Sequence, residues 1–334
     1  MNHYIIPFFI PELACPNRCI YCNQHCISGQ TSIPSPDEMD PLIQKYLATM
    51  RGGFRHVEIG FFGGNFTGIP KIHQQAFLKN AHAWLTKGSI QGIRISTRPD
   101  YINQEAIKLL QKYGVSCIEL GVQSLDPEVL SLTGRGHTAE DSIRAARLIR
   151  NSGIGLGMQM MIGLPGDNME KSMDTARQIA ELGADNTRIY PTLVIRGTVL
   201  ETLFNNGSYN PLGLDDAIGW SARLVRYFEE NNVKVLRKGL HPSKELLNKE
   251  ALVAGPFHPS FGEMVMSRMW KEDLSPLCEL HPRQALHIYV AKRQLNAAIG
   301  HQASNRRMLE NRHKKVIFKS DQLLQGRDYY VDDH

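Results

Sequence analysis

A chain of 334 residues, 42% of them hydrophobic and 21% charged, is long enough to bury a large core without covalent staples. It has only six cysteines and no run of 18 apolar residues, which argues against a disulfide-dense scaffold and against a membrane-spanning helix. The net charge of +5 is a mild pointer to anionic partners. MNHYIIPFFIPEL has an apolar run, but no basic segment precedes it and no small-residue cleavage site follows. The expectation is a cytoplasmic, reducing compartment, where clustered thiols bind metal more often than they pair.

In chain order, runs rich in Ile, Val and Phe alternate with amphipathic segments from residue 4 to about residue 240. IIPFFI from Ile5 reads as a strand. DEMDPLIQKYLATM from Asp37 reads as a helix with an acidic first turn, stopped by Gly52-Gly53. HVEIGFFG from His56 and GIRISTRP from Gly92 are strands, and INQEAIKLLQKYG is a helix with an Asn cap and a terminal Gly114. SCIELGVQ from Ser116 is a strand; TAEDSIRAARLIRNSG is a helix whose Thr138 and Asp141 form a variant capping box. IGLGMQMMIGL from Ile154 and TRIYPTLVI from Thr187 complete six strands, each with the composition of a strand buried on both faces. Such alternation predicts a parallel α/β sheet that curls into a partial barrel, with ligand sites where strands end.

Residues 1–240 are expected to form this barrel, 241–280 a connection, and 281–334 a small basic αβ module. Residues 282–320 carry nine Lys or Arg against a single Glu. The pattern there is strand, helix, turn, helix, strand, followed by DQLLQGRDYYVDDH, read as a polar tail.

The chemistry-bearing residues cluster at the predicted strand ends. After the first strand, CPNRCIYCNQHC places Cys15, Cys19 and Cys22 at C-x3-C-x2-C. Three thiolates on one loop can wrap one face of a cubane cluster, each on its own iron, leaving the fourth iron open. A structural zinc site needs four ligands, and Cys26 or His25 would complete one, so zinc is the alternative. Gly63-Gly64-Asn65 follows the second strand, where glycine allows close backbone approach to a ligand. Arg98, Gln123 and Gln159 interrupt or end apolar runs on the same side.

The C-x3-C-x2-C loop is identified with radical S-adenosylmethionine (SAM) enzymes. Downstream, FGGNFTGIP, ISTRPDYI, ELGVQSLDPEVLSLTGRGHT, MMIGLPGDN and YPTLVIRGTVLETLFNNGSY resemble the radical SAM domain of the Elongator catalytic subunit over residues 5–240. GVQS and GLP are also similar to oxygen-independent coproporphyrinogen oxidase. The resemblance implies a [4Fe-4S] cluster on Cys15, Cys19 and Cys22. It implies SAM chelated by the open iron, and reductive cleavage to a 5′-deoxyadenosyl radical, with electrons from a reductant such as flavodoxin or ferredoxin. Tyr21 has the aromatic character common before the last cysteine, and Gly63, Gly64 and Asn65 match the strand end that meets the SAM amino group. Gln123, Arg135 and Gln159 match positions that contact SAM, with Gln159 replacing an acid. Ser96 stands where the Elongator-like pattern has Glu. Tyr190 and Arg196 are candidates for the substrate end.

The same resemblance implies RNA, such as transfer RNA, as the substrate. The acetyltransferase domain of the Elongator protein has no counterpart in these residues, so the complete carboxymethylation does not carry over. A small metabolite, peptide or tetrapyrrole precursor is the rival substrate, and a zinc-stabilised nucleic-acid-binding protein the rival class. The basic module faintly resembles a KH domain, with Gly300-His301-Gln302-Ala303 in place of GxxG. Arg306, Arg307, Arg312, Lys314 and Lys315 are its candidate phosphate contacts. Cys117, Met158, Met160, Met161 and Met173 read as core filler, Cys278 has no visible partner, and His241 and His258 read as loop residues before proline.

Overall fold

The computed structural model describes residues 2–10, 15, 19–23, 35–50 and 55–332. Cys26 and the Gly52-Gly53 helix stop lie outside the described residues. Among the described residues the main sheet has seven parallel strands, added one beside the next in chain order. They are β1 (Asn2–Ile10), β2 (Arg55–Gly63), β3 (Gly92–Thr97), β4 (Cys117–Gln123), β5 (Gly155–Ile162), β6 (Asn186–Pro191) and β8 (Lys234–Lys238). Because each strand adds beyond the last, the sheet winds in one direction and curls into a half-barrel. The seventh strand, KVLRK, extends the six foreseen. It is short, charged and at the sheet edge, so it lacks the continuous apolar run of a central strand.

The connecting helices are α1 (Met39–Thr49), α2 (Lys71–Thr86), α3 (Gln104–Lys112), α4 (Pro127–Leu132), α5 (Ala139–Asn151), α6 (Met169–Glu181), α7 (Val199–Asn205) and α8 (Leu214–Glu230). Their starts are set by local hydrogen bonding. Asn103 accepts from the Ala106 amide, and Thr138 and Asp141 satisfy each other's backbone in the anticipated capping box. Gly114 and Gly153 take positive φ (72° and 78°) just beyond two helix ends.

The strands alternate strictly. Ile6, Phe8, Val57, Ile59, Ile93, Ile118, Leu156, Met158 and Ile189 face the helices and form one apolar core. Every second residue faces the barrel interior instead, and that row mixes polar residues, aromatics and glycines with Ile5, Pro7 and Met161. The central strands are buried on both faces, as their composition predicts, with the apolar core on one side and the barrel interior on the other. Inside the row, a Cβ at Gly60 would lie 2.8 Å from the Ile5 side chain, and one at Gly157 would lie 2.7 Å from Asn186 Oδ1. Glycine makes room there for bulky neighbours inside the curl.

A small antiparallel pair joins β7 (Val194–Ile195), which follows β6, to β9 (Leu252–Ala254), which follows β8 and helix α9 (Lys244–Leu247). Helix α10 (Phe261–Leu274) bridges two cores: Phe261, Val265 and Met269 pack on the barrel, Trp270 and Leu274 on a second cluster. That cluster lies under a three-stranded sheet in which β10 (Leu286–Ala291) pairs in parallel with β11 (Val316–Asp321) and antiparallel with β12 (Tyr329–Asp332). Helices α11 (Leu295–Ile299) and α12 (Ser304–Glu310) connect β10 to β11. The segment read as a polar tail therefore contributes β12, whose Tyr329 packs edge-on to Trp270 at 6.0 Å. Among the described residues no helix is long and apolar enough to cross a membrane.

Candidate active site

The inward row begins with a buried charge network. Glu119, 1% exposed, accepts from Arg188 Nε (2.6 Å) and Nη2 (2.9 Å), from Arg94 Nη1 (2.9 Å) and from Gln159 Nε2 (2.8 Å). Arg94 also reaches Glu58 Oε2 at 3.2 Å, and Glu58 accepts from His3 at 2.8 Å. Burial alone would raise the Glu119 pKa, but Arg188 and Arg94 hold the carboxyl below its usual range. The same burial pushes the Cys117 thiol up to about 11, so it stays protonated beside Arg94.

Above this floor opens a cavity of about 700 Å³ at the C-terminal ends of the strands. Cys15, Cys19, Tyr21, Cys22, Gly63, Gly64, Ser96, Arg98, Gln123, Arg135, Gln159 and Tyr190 all line it. The cysteine loop is pinned from both sides: the Ile20 amide donates to Thr133 O (3.1 Å), and Ile20 O accepts from the Leu200 amide (2.8 Å). Gly63 has φ +101°, and a Cβ there would stand 2.7 Å from Ile10 O, so only glycine lets β2 turn over β1 at this point.

Arg135 reaches across to the thiols. Its Nη1 donates to Cys19 Sγ at 3.2 Å and its Nη2 to Gly121 O at 2.5 Å. A Cβ on Gly121 would lie 3.0 Å from that Nη2, which explains the glycine beneath the arginine. Gln123 ends β4 at a register shift with φ +68°, an uncommon conformation for a residue with a Cβ. Among the described residues its Oε1, Arg135 Nε and Arg98 Nη1 are buried without a hydrogen-bond partner. Three such atoms at one cavity point to a polar ligand that satisfies them.

The predicted residues do not all converge. Asn65 is fully buried behind the wall; its Oδ1 accepts from Thr97 Oγ1 (2.6 Å) and from the Arg98 amide (3.3 Å). It braces the strand ends and does not line the cavity. Arg98 is tied to Asp100 by two bonds of 3.0 Å. Arg196 also falls outside: its side chain is 61% exposed, and its Nε donates to Glu250 O at 3.0 Å. It follows the β7 strand, and Ile195 takes the cavity position in its place. Tyr190 is in the wall, and burial raises its hydroxyl pKa.

Sequence reading missed Glu119, Arg94 and Arg188, although each is a lone charge inside an apolar strand run, a usable signal. It also missed Arg237, on the unrecognised last strand, and took His241 for a loop residue and Met161 for core filler; all three line the cavity. His137, in the RGHT segment, is buried between two arginines. Burial first, then Arg135 and Arg98, push its pKa down to about 3, so it is neutral under Arg135.

In the basic module, two of the five candidate phosphate contacts have structural roles. Arg306 lies over the Phe318 ring (5.9 Å), and Arg312 Nε donates to Leu280 O (3.2 Å). Arg307, Lys314 and Lys315 are exposed. The Gly300–Ala303 turn is docked onto α10, where the His301 amide donates to Ser267 Oγ (2.7 Å) and Asn305 Nδ2 to Ser267 O (3.0 Å). A backbone amide engaged in this way is withdrawn from the phosphate-clamping role of a KH loop.

Comparison with known proteins matches residues 10–179 to the radical SAM superfamily and residues 184–271 to the radical SAM C-terminal domain. A tRNA uridine(34) acetyltransferase from Dehalococcoides mccartyi is 30% identical over 232 residues, covering 60% of this chain and 50% of that protein. Human Elongator complex protein 3 is 32% identical over 189 residues, covering 51% of this chain and 35% of its own length. The chain thus spans half or less of the length of these curated relatives. An archaeal Elp3 structure from Methanocaldococcus infernus superposes with a TM-score of 0.64 at 23% identity, covering 82% of this chain and 64% of that one. SuiB of Streptococcus suis bound to S-adenosylmethionine shares the fold with a TM-score of 0.52 at 14% identity, over 72% of this chain and 51% of that one. The superfamily match extends over more than half of the sequence and includes the cysteine loop and strands β2 to β5 of the cavity wall; the chain belongs to the radical SAM superfamily and is an enzyme of that class.

Proposed function

We propose that Cys15, Cys19 and Cys22 hold a [4Fe-4S] cluster, that SAM occupies the adjoining cavity, and that the enzyme modifies RNA, such as transfer RNA. The observation that carries this reading is the joint opening of the three thiols, Gly63-Gly64 and the unsatisfied atoms of Gln123 and Arg135 into one cavity. When bound, the cluster and SAM supply a 5′-deoxyadenosyl radical, and the chain supplies position and charge. Arg135 fixes the position of the Cys19 sulfur through its 3.2 Å hydrogen bond. Neutral His137 sits near that arginine without adding a second positive charge. Gly63 and Gly64 keep the end of β2 open to close backbone approach, while Gln123 and Arg135 offer polar atoms to the ribose or amino acid part of SAM. The Glu119 network fixes Gln159 and Arg188 in the floor, so the polar contacts are preset before ligands enter.

The RNA reading is supported by the relatives' names, which specify transfer RNA uridine, and by the exposed Arg307, Lys314 and Lys315. The zinc-only alternative does not account for the superfamily match. The test is anaerobic reconstitution with iron, sulfide, SAM and dithionite in the presence of deuterated transfer RNA pools. The expected result is a broad absorbance near the visible charge-transfer region and label transfer into 5′-deoxyadenosine. Cys22→Ala should lose both. Retained SAM cleavage in that variant would overturn the assignment, and label transfer from a small metabolite or peptide instead of RNA would replace the substrate.

A further inference from the structure

We propose that Arg237, on the last strand of the barrel, anchors a phosphate of the substrate at the mouth of the cavity, with His241 beside it. The inference rests on the RNA reading above and adds the subsite that selects a nucleotide over a nucleoside.

The argument begins with charge. Among the described residues four arginines line the cavity, Arg98, Arg135, Arg188 and Arg237, and no Asp or Glu does. Three are already assigned. Arg98 is paired with Asp100 and Arg188 with Glu119, while Arg135 holds Gly121 O and Cys19 and keeps its unsatisfied Nε for the ligand beside the cysteine loop. Arg237 is half-buried and, among the described residues, has no carboxylate partner. A guanidinium taken partly out of water without an anion is costly to leave so, and a ligand anion removes that cost. Its five donors match a phosphate bidentately.

Position identifies the kind of anion. Arg237 is the register neighbour of Arg188, which is itself the neighbour of Gln159 on β5. This row runs from the polar floor to the open edge of the sheet. His241, exposed at that edge, also lines the cavity, and Arg237 adds to burial in lowering its pKa. The wall deeper in is flat and aromatic, with Tyr190 and with Phe62 beneath the Arg188 guanidinium at 5.0 Å. A phosphate held at the rim with a planar group inserted beneath is the layout of one nucleotide unit of a polynucleotide whose backbone stays outside.

The test uses the reconstituted enzyme with SAM and compares equilibrium affinities for uridine, 5′-UMP and 3′-UMP. The wild type should bind at least one monophosphate about tenfold or more tighter than uridine, the range for a charged hydrogen-bonded contact. Arg237→Gln should collapse that ratio to near one, and Arg237→Lys should restore part of it, which a merely structural role would not do. A wild-type ratio near one, or a ratio unchanged in Arg237→Gln, would overturn the subsite. Failure of the underlying reading looks different: absence of reductive SAM cleavage in the wild type leaves the monophosphate ratio still readable.

Discussion

Glu119→Gln isolates what the buried charge network contributes. The side chain is 1% exposed and its two oxygens accept four hydrogen bonds, three of them from arginines. Glutamine keeps the shape but removes the charge and turns an amide N–H₂ toward those donors. Arg188 then has no anion, while Arg94 keeps Glu58. Breaking a buried pair by removing one partner costs about 3–5 kcal/mol, and the retained Glu58 contact favours the lower end, about 3 kcal/mol. Replacing both partners, Glu119→Leu with Arg188→Met, should cost less than the sum of the single changes, because no charge is stranded. Urea unfolding at neutral pH, followed by tryptophan fluorescence, measures all of these. Since neighbouring arginines lower the Glu119 pKa in the fold, its contribution is complete above the unfolded carboxyl value of about 4.3 and fades as pH falls through the folded value, so wild type and Glu119→Gln should converge in acid. A loss under about 1 kcal/mol for the single variant, or strictly additive singles, would refute the network account.

Two further outcomes follow from the site. His137 titrates at about 3 in the fold, below the unfolded value of about 6.5, so the unfolded chain binds the proton first. Stability should be intact above about pH 6.5 and fall as pH drops from there toward 3, by at most about 1.4 kcal/mol per pH unit, and His137→Gln should flatten that slope in pH-dependent unfolding. Gly63→Ala places a Cβ 2.7 Å from Ile10 O at φ +101° and should lower stability by about 1–3 kcal/mol in the same assay, with Gly88→Ala, which meets no atom within 4 Å, as the comparison.

Much of the site was legible because its chemistry is local in sequence. Cys15, Cys19 and Cys22 fall within eight residues, and the glycines and Gln123 sit at strand ends that the apolar runs announce. Helix starts at Asn103 and Thr138 were equally readable, since a cap bonds only to the next turn. Asn65 and Arg196 were misplaced for one shared reason: residue type and nearness to a motif do not fix which way a side chain faces. Asn65 points behind the wall to Thr97 and the Arg98 amide, and Arg196 turns outward to Glu250.

The sequence by itself determined the strand–helix alternation, the thiol spacing and the superfamily, because these depend on neighbours within one or two turns. Tertiary structure alone decided that Glu119 on β4 would meet Arg94 on β3 and Arg188 on β6, that Arg237 on an edge strand would line the cavity with no carboxylate partner among the described residues, and that the Gly300–Ala303 turn would be spent on Ser267. Those outcomes depend on the curl of the sheet, which brings every second residue of seven strands onto one concave face and so sets charges far apart in sequence against one another.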